Sequence, residues 1–239
     1  MQEVDIIRAG YDSVARAYAQ LLPPAGTEGA PEAVLEMAML QEFIDSVPAE
    51  AEVLDAGCGT GRMITSLQAM TRGTGQRFQL QGCDVSEAMV GIAQEAHPHL
   101  RFMEAGLAEL PYPNGQFHGV LAWYSIIHLE PLALEEVFAE ISRVLRPGGF
   151  LLLGFQTGSG SRLIQNAYGK DINLTAYLHD VEDVLTRLQR CGFTERATLR
   201  RAPGTAEKYG QGFMLVQSQS QSQSQSQSQS QSQSQSQKT

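Results

Sequence analysis

The stretch Val-Leu-Asp-Ala-Gly-Cys-Gly-Thr-Gly, VLDAGCGTG at residues 53–61, decides how this chain folds. A short apolar run ends in one acid, Asp55, and then in three alternating glycines, Gly57, Gly59 and Gly61. Glycines at that density after an apolar run mark a strand that turns sharply into a helix, with a ligand lying against bare backbone. A dinucleotide fingerprint would read Gly-x-Gly-x-x-Gly, with an uncharged approach for the pyrophosphate. Here the spacing is Gly-x-Gly-x-Gly, and the carboxylate at the strand's end repels a pyrophosphate but attracts a positively charged ligand.

Downstream, apolar runs alternate with helical patterns, an order that gives a mainly parallel sheet covered by helices. Strands are expected over 51–56, 78–84, 100–105, 117–124 and 150–155, with a closing pair over 193–199 and 210–216. The glycine loop opens a helix over 62–71, Ser86 caps one running to Ala96, and Asp180 caps one ending at Arg190 before Gly192. Leu134, Val137, Phe138, Ile141 and Leu145 recur at helical spacing. Arg143 and Arg146 are expected in that helix's last turn, before Pro147, Gly148 and Gly149 end it. Residues 157–177 lack strong periodicity and read as a long connection over the sheet's carboxyl edge, where substrate contacts gather. The fold class is therefore α/β: a doubly wound, mainly parallel seven-stranded sheet with helices on both faces. Residues 1–48 are expected to form an N-terminal helical cap, broken by Pro and Gly over 22–31, and residues 49–216 the ligand-binding domain. Residues 217–239 are dominated by Gln-Ser alternation, too polar to offset its ordering entropy, and are expected to be a disordered tail.

A net charge of −9 argues against an extended phosphate-binding surface, so nucleic acid is not an expected partner and a small molecule is. The cysteines, Cys58, Cys83 and Cys191, are odd in number and lack metal-site spacing, which fits reduced thiols. No basic segment followed by an apolar run opens the chain, and no run of about 18 apolar residues occurs, so neither secretion nor a membrane span is expected. The expectation is a cytoplasmic monomer or homodimer.

The second strand ends in Gly82-Cys83-Asp84-Val85-Ser86, placing Asp84 where an acid accepts hydrogen bonds from ribose hydroxyls. Taken with VLDAGCGTGR, GCDVSEAMVGIAQE, LPYPNGQFHGVLAWYSIIHL and ISRVLRPGGFLLL, the chain resembles the class I S-adenosylmethionine-dependent methyltransferases, particularly their small-molecule branch. The resemblance runs over most of residues 10–216. It implies S-adenosylmethionine as cofactor, with Asp55, Gly57, Gly59 and Gly61 around its methionine portion, Asp84 on its ribose and Val85 against its adenine. Cys58 belongs to the same loop as a small packed residue rather than a nucleophile. Arg62 would reach the cofactor carboxylate or lie solvated, and Tyr11 and Tyr18 fall where the family's N-terminal helix closes over the cofactor. Two departures stand out. Gly106 occupies a position where the family commonly has Asp or Asn reading the adenine edge, leaving a backbone contact from Leu107, and His118 replaces an acid.

The chemistry implied is transfer of a sulfonium methyl group to an oxygen or nitrogen of a small molecule, which mainly requires in-line positioning in a dry pocket. His128 is the candidate general base, needed where a hydroxyl must lose a proton, and its other reading is a histidine packed under the loop. Trp123 and Tyr124 read either as sheet packing or as an aromatic wall for the acceptor. The fourth strand is followed by no Asp/Asn-Pro-Pro-aromatic segment and no acid pair, and no acid for a metal stands at its end, so no metal is expected. A nicotinamide-dependent dehydrogenase and a non-catalytic cofactor-binding protein remain as alternative readings of the same glycine loop.

Overall fold

The computed structural model describes residues 3–205 and 207–219. Two helices open the chain, α1 (Glu3–Leu21) and α2 (Val34–Ser46). Alternating units follow: β1 (Glu52–Ala56), α3 (Arg62–Thr71), β2 (Gln79–Asp84), α4 (Glu87–Ala96), β3 (Arg101–Glu104), β4 (Phe117–Trp123), α5 (Leu134–Val144) and β5 (Leu145–Thr157). A hairpin, β6 (Ser161–Ala167) and β7 (Lys170–Tyr177), precedes α6 (Val181–Arg190), β8 (Phe193–Arg201) and β9 (Gly210–Ser218).

The main sheet has the order β3-β2-β1-β4-β5-β9-β8. β1 pairs in parallel with β2 on one side and β4 on the other, so the chain reverses its direction of winding between them. Such a switch leaves a crevice beyond the carboxyl ends of the two central strands. β9 alone runs antiparallel, inserted between β5 and β8.

Both faces of the sheet are buried, and the strands show it residue by residue. Leu54, Val120, Leu151 and Leu153 join a core with Val137, Phe138 and Ile141 of α5 and Val184 and Leu188 of α6. Their neighbours Val53, Leu121 and Leu152 join the opposite core with Leu40 and Phe43 of α2 and Ile64 and Leu67 of α3. A two-residue repeat buried on both sides accounts for the unbroken apolar run in β5.

The expected caps form: the Ser86 hydroxyl accepts from the Met89 amide, and Asp180 accepts from the amides of Glu182 and Asp183. Three expectations are corrected. α5 stops at Val144, so Arg143 lies in its last turn but Leu145 and Arg146 already belong to β5; a residue before proline, here Arg146, is pushed out of the helical region. Residues 157–177 are no loose connection: β6 and β7 pair antiparallel, with Ala167 opposite Lys170 across a two-residue turn. Both turn residues, Tyr168 and Gly169, have positive φ, as a tight hairpin turn of the primed type demands. Finally, β9 runs past Val216: Gln217 pairs with Phe150 and Thr194, and Ser218 with Phe193. The rest of the expected tail, from residue 220, lies outside the described residues.

Candidate active site

The site begins with the turn after β1. Gly57, Gly59 and Gly61 all have positive φ, at +79°, +52° and +78°. The amides of Gly57 and Cys58 donate to the Cys83 carbonyl at 2.8 and 2.9 Å, tying the loop to the end of β2. Gly57 also answers a second constraint, since a Cβ there would lie 2.3 Å from that of Ser125 in the loop after β4. Gly61 meets a different demand. It caps α3 in the left-handed conformation and faces Ala93 and His97, so it packs the loop on α4 and does not line the cavity.

Asp84 closes β2 with one carboxylate oxygen accepting from the Gly59 amide at 2.8 Å and the other from Ser86 at 2.9 Å. Helix α1 is anchored just beyond it. Arg8 Nε donates to the Val85 carbonyl at 3.1 Å, and Asp12 accepts from the Ser86 hydroxyl at 2.6 Å and the Ala88 amide at 3.1 Å. One face of α1, with Val4, Ile7, Tyr11 and Tyr18, thereby roofs a cavity of about 520 Å³. Gly57, Gly59, Asp84, Val85, Gly106 and Leu107 line its other side. A Cβ on Gly106 would meet nothing within 4 Å, so no packing constraint demands glycine there.

Beside the glycine loop lies a buried cluster of charges. Arg62 Nη2 donates to Glu32 Oε1 at 2.7 Å, and the Trp123 indole N–H donates to the same oxygen at 3.1 Å. Both side chains of the ion pair are nearly inaccessible, at 9% and 2% exposure. The Tyr18 hydroxyl sits beside the guanidinium without reaching hydrogen-bonding geometry, and Arg62 Nη1 has no partner. Glu32 Oε2 and both oxygens of Asp55 are likewise buried and unpartnered. Burial pushes the Asp55 carboxyl up to about 7, with the Arg62 charge opposing and the Asp84 charge adding to the shift. Four unpartnered atoms of opposite charge in one place are costly without a ligand of matching charges.

At the other end stands His128. Its Nδ1 is 2.5 Å from the Thr175 carbonyl, so that nitrogen carries the proton, and Nε2 accepts from the Tyr11 hydroxyl at 2.8 Å. Burial lowers its basicity, the Thr175 carbonyl works against that shift, and the Arg162 charge adds to it. The Tyr11 phenol is held well above its ordinary range, mainly by burial. Tyr124 adopts φ +59°, a conformation rare for a bulky residue and characteristic of sites under functional strain. Its hydroxyl donates to Gln211 Oε1 at 2.8 Å, and Trp123 packs with its ring 4.9 Å from that of Phe213.

Most of the residues expected from sequence thus meet in one cavity: Tyr11, Tyr18, Gly57, Gly59, Arg62 and Asp84, with Val85, Gly106, Leu107, Trp123, Tyr124 and His128. Asp55, Cys58 and Gly61 lie behind its wall. Cys58 turns its sulfur towards Gly82, and burial raises its thiol well above the ordinary range, which leaves it packed and inert. Glu32, Arg162, Gln156, Tyr209 and Gln211 also line the cavity and were not foreseen. Glu32 sits at the end of the Pro/Gly break, and only its position beside prolines in an otherwise helical preface sets it apart in sequence. His118 has a structural part, accepting from the Glu52 amide at 3.0 Å. Among the described residues no cluster of metal-ligating side chains occurs, and no helix is long and apolar enough to cross a membrane.

A family model described as a methyltransferase domain matches residues 53–149. The chain is 33% identical over 110 residues to the O-methyltransferase cnsE of Penicillium expansum, covering 44% of this chain and 38% of that one. It spans between 26% and 56% of the length of the first curated relatives it matches. Among solved structures, a Burkholderia thailandensis 1,6-didemethyltoxoflavin-N1-methyltransferase with bound S-adenosylhomocysteine superposes with a TM-score of 0.62 at 19% identity, over 90% of this chain and 88% of that one. The [4+2]-cyclase SpnF superposes with a TM-score of 0.65 at 17% identity, over 90% and 96%. At these identities the structures speak for the fold alone, and one of them is named for a reaction other than methyl transfer. The family match over residues 53–149, the sheet order and the glycine-loop site all agree with a class I S-adenosylmethionine-dependent methyltransferase domain, whose cofactor is S-adenosylmethionine.

Proposed function

We propose that this protein transfers the methyl group of S-adenosylmethionine to an oxygen or nitrogen of a small-molecule acceptor. The observation that carries the reading is the set of buried, unpartnered charged atoms beside the glycine loop: Arg62 Nη1, Glu32 Oε2 and the Asp55 carboxylate. A ligand with a carboxylate, an ammonium and a sulfonium in close succession matches such a set, whereas a pyrophosphate would meet two acids. When bound, the cofactor supplies an electrophilic methyl group on a positively charged sulfur.

The chain's own residues do the rest. Arg62 Nη1 binds the cofactor carboxylate, Asp55 and Glu32 balance the positive charge, and Asp84 accepts from the ribose hydroxyls. The backbone at Gly106 and Leu107 reads the adenine edge. Trp123 and Tyr124 border the acceptor, and α1 with the hairpin excludes water from it. For a hydroxyl acceptor the Tyr11–His128 pair receives the proton: the acceptor O–H donates to Tyr11 Oη while the Tyr11 proton passes to His128 Nε2. The Nδ1–H bond to Thr175 holds the imidazole in the tautomer that leaves Nε2 free to accept.

The test is calorimetric titration with S-adenosylhomocysteine, followed by incubation with methyl-labelled S-adenosylmethionine and fractionated metabolite pools. Tight binding and label transfer into a small-molecule fraction are expected. Binding of NAD(H) with no response to S-adenosylhomocysteine would overturn the proposal, and cofactor binding without transfer into any pool would support a non-catalytic protein.

A further inference from the structure

The acceptor end of the cavity carries a charge pattern that the cofactor does not use. Arg162 reaches it from β6. Its Nη2 donates to Gln156 Oε1 at 3.0 Å, and its guanidinium carbon lies 5.5 Å from the centre of the Tyr209 ring. Its Nε is buried without a partner. Lys208 Nζ lies 5.5 Å from the same ring, and Lys208 also lines the cavity. Among the described residues, neither cation has a carboxylate partner.

Each acid in the cavity wall, by contrast, already has at least one partner. Glu36 and Glu207 are both bonded to Arg201, Glu32 is paired with Arg62, and Asp84 accepts from two backbone amides. A guanidinium held against a neutral amide and an aromatic ring, with one N–H unsatisfied, lacks its natural counterpart. Arginine in such a setting selects a flat oxyanion, because its donors are planar and its charge is weakly hydrated. The Arg162 charge also bears on His128 and Tyr11, making both less prone to hold a positive or protonated state. Arg162, Tyr11 and His128 all line the one cavity.

We infer that the acceptor carries an anionic oxygen group, a carboxylate or an ionised phenol or enol, which docks on the Arg162 guanidinium beside Gln156 and Tyr209. The inference rests on the methyltransferase reading, and an anion there would satisfy the unpartnered N–H while the Tyr209 ring flanks the attached conjugated framework. A neutral analogue would leave that N–H buried and unpaired, a loss of the kind that separates ligands by about 10- to 100-fold.

The experiment uses the full chain saturated with S-adenosylhomocysteine and two matched pairs of probes. 4-Hydroxybenzoate is compared with 4-hydroxybenzamide, and 4-nitrophenol above its pKa with 4-nitroanisole. The expected result is that at least one anion binds about 10- to 100-fold more tightly than its neutral partner. The preferred pair tells a carboxylate from a phenolate. Arg162→Gln should bring the preferred pair to within about twofold and Arg162→Lys should restore part of the difference, both with unchanged thermal unfolding. Equal binding of anion and neutral partner, no binding of either anion, or a preference that survives Arg162→Gln would overturn the inference. The first titration, with S-adenosylhomocysteine alone, is read separately: failure there overturns the methyltransferase reading, whatever the anions do.

Discussion

The two walls of the cavity are built by different means. The wall at the carboxyl ends of β1 and β2 presents backbone and short acids: Gly57, Gly59 and Asp84 stand where parallel strands place them, and the loop's hydrogen bonds to Cys83 leave little freedom. The opposite wall is made of long side chains from elements far apart in the chain, with Tyr11 on α1, Arg162 on β6, Tyr168 at the hairpin turn and Tyr209 before β9. A cofactor common to a family belongs to the first kind of wall. An acceptor that differs between enzymes belongs to the second, where substitutions leave the sheet untouched.

His128 is where the walls meet, since it follows β4 and is gripped by Tyr11 and Thr175. His128→Asn should therefore give the largest effect, a fall in kcat of about 10²- to 10⁴-fold for a hydroxyl acceptor, with cofactor affinity unchanged within about twofold. Single-turnover measurements beside S-adenosylhomocysteine titration check it. A loss of cofactor affinity comparable with the loss in kcat would mean that the walls are not separable.

Gly57→Ala attacks the first wall. The new methyl group would lie in a left-handed backbone and against Ser125, so strain and overpacking add to a destabilisation of about 2–5 kcal/mol. Chemical denaturation measures that loss. The anion preference assigned to Arg162 should survive in whatever fraction folds, because the second wall does not depend on Gly57.

A pH experiment sharpens the same wall. The Asp55 carboxyl is raised from 3.8 to about 7 in the fold, so the folded protein holds a proton that the unfolded chain releases. Asp55 thus contributes stability at low pH that is lost as pH rises towards 7. Cofactor affinity should run the opposite way, because a positively charged ligand selects the ionised acid. It should rise by up to about tenfold per pH unit below 7 and then level off. Titration at several pH values, in buffers of different ionisation enthalpy, should detect the released proton, and Asp55→Asn should abolish both trends.

Much of the first wall was legible in sequence because its causes are local. Three glycines with positive φ, an acid at a strand end and an N-cap at Ser86 all leave marks within a few residues. The second wall was not, for an equally physical reason. Glu32, Arg162 and Tyr209 are separated by long stretches of chain and acquire meaning only through the partners that folding brings. The hairpin was readable in part: Ile172, Leu174 and Ala176 alternate inwards on β7 while Lys170, Asp171 and Asn173 are exposed. What hid it was the turn, where Tyr168 occupies a left-handed position that usually announces itself as Asn or Gly.

That turn supplies the smallest of the expected effects. Tyr168 bears a conformational cost of about 1–2 kcal/mol at φ +54°, yet its ring packs edge-on against Tyr18 with centroids 5.0 Å apart. Tyr168→Gly removes the strain, adds about 0.5–1 kcal/mol of backbone entropy cost and loses an aromatic contact of about 0.5–1.5 kcal/mol. These terms oppose one another, so thermal unfolding should move by no more than about 1 kcal/mol in either direction. Kinetics should be the more telling readout. Tyr168 lines the wall proposed for the acceptor but also leans on α1, which roofs the cavity, so KM for the acceptor should rise while kcat holds. A rise in KM for S-adenosylmethionine of equal size would show that hairpin and α1 close as one unit over both ligands.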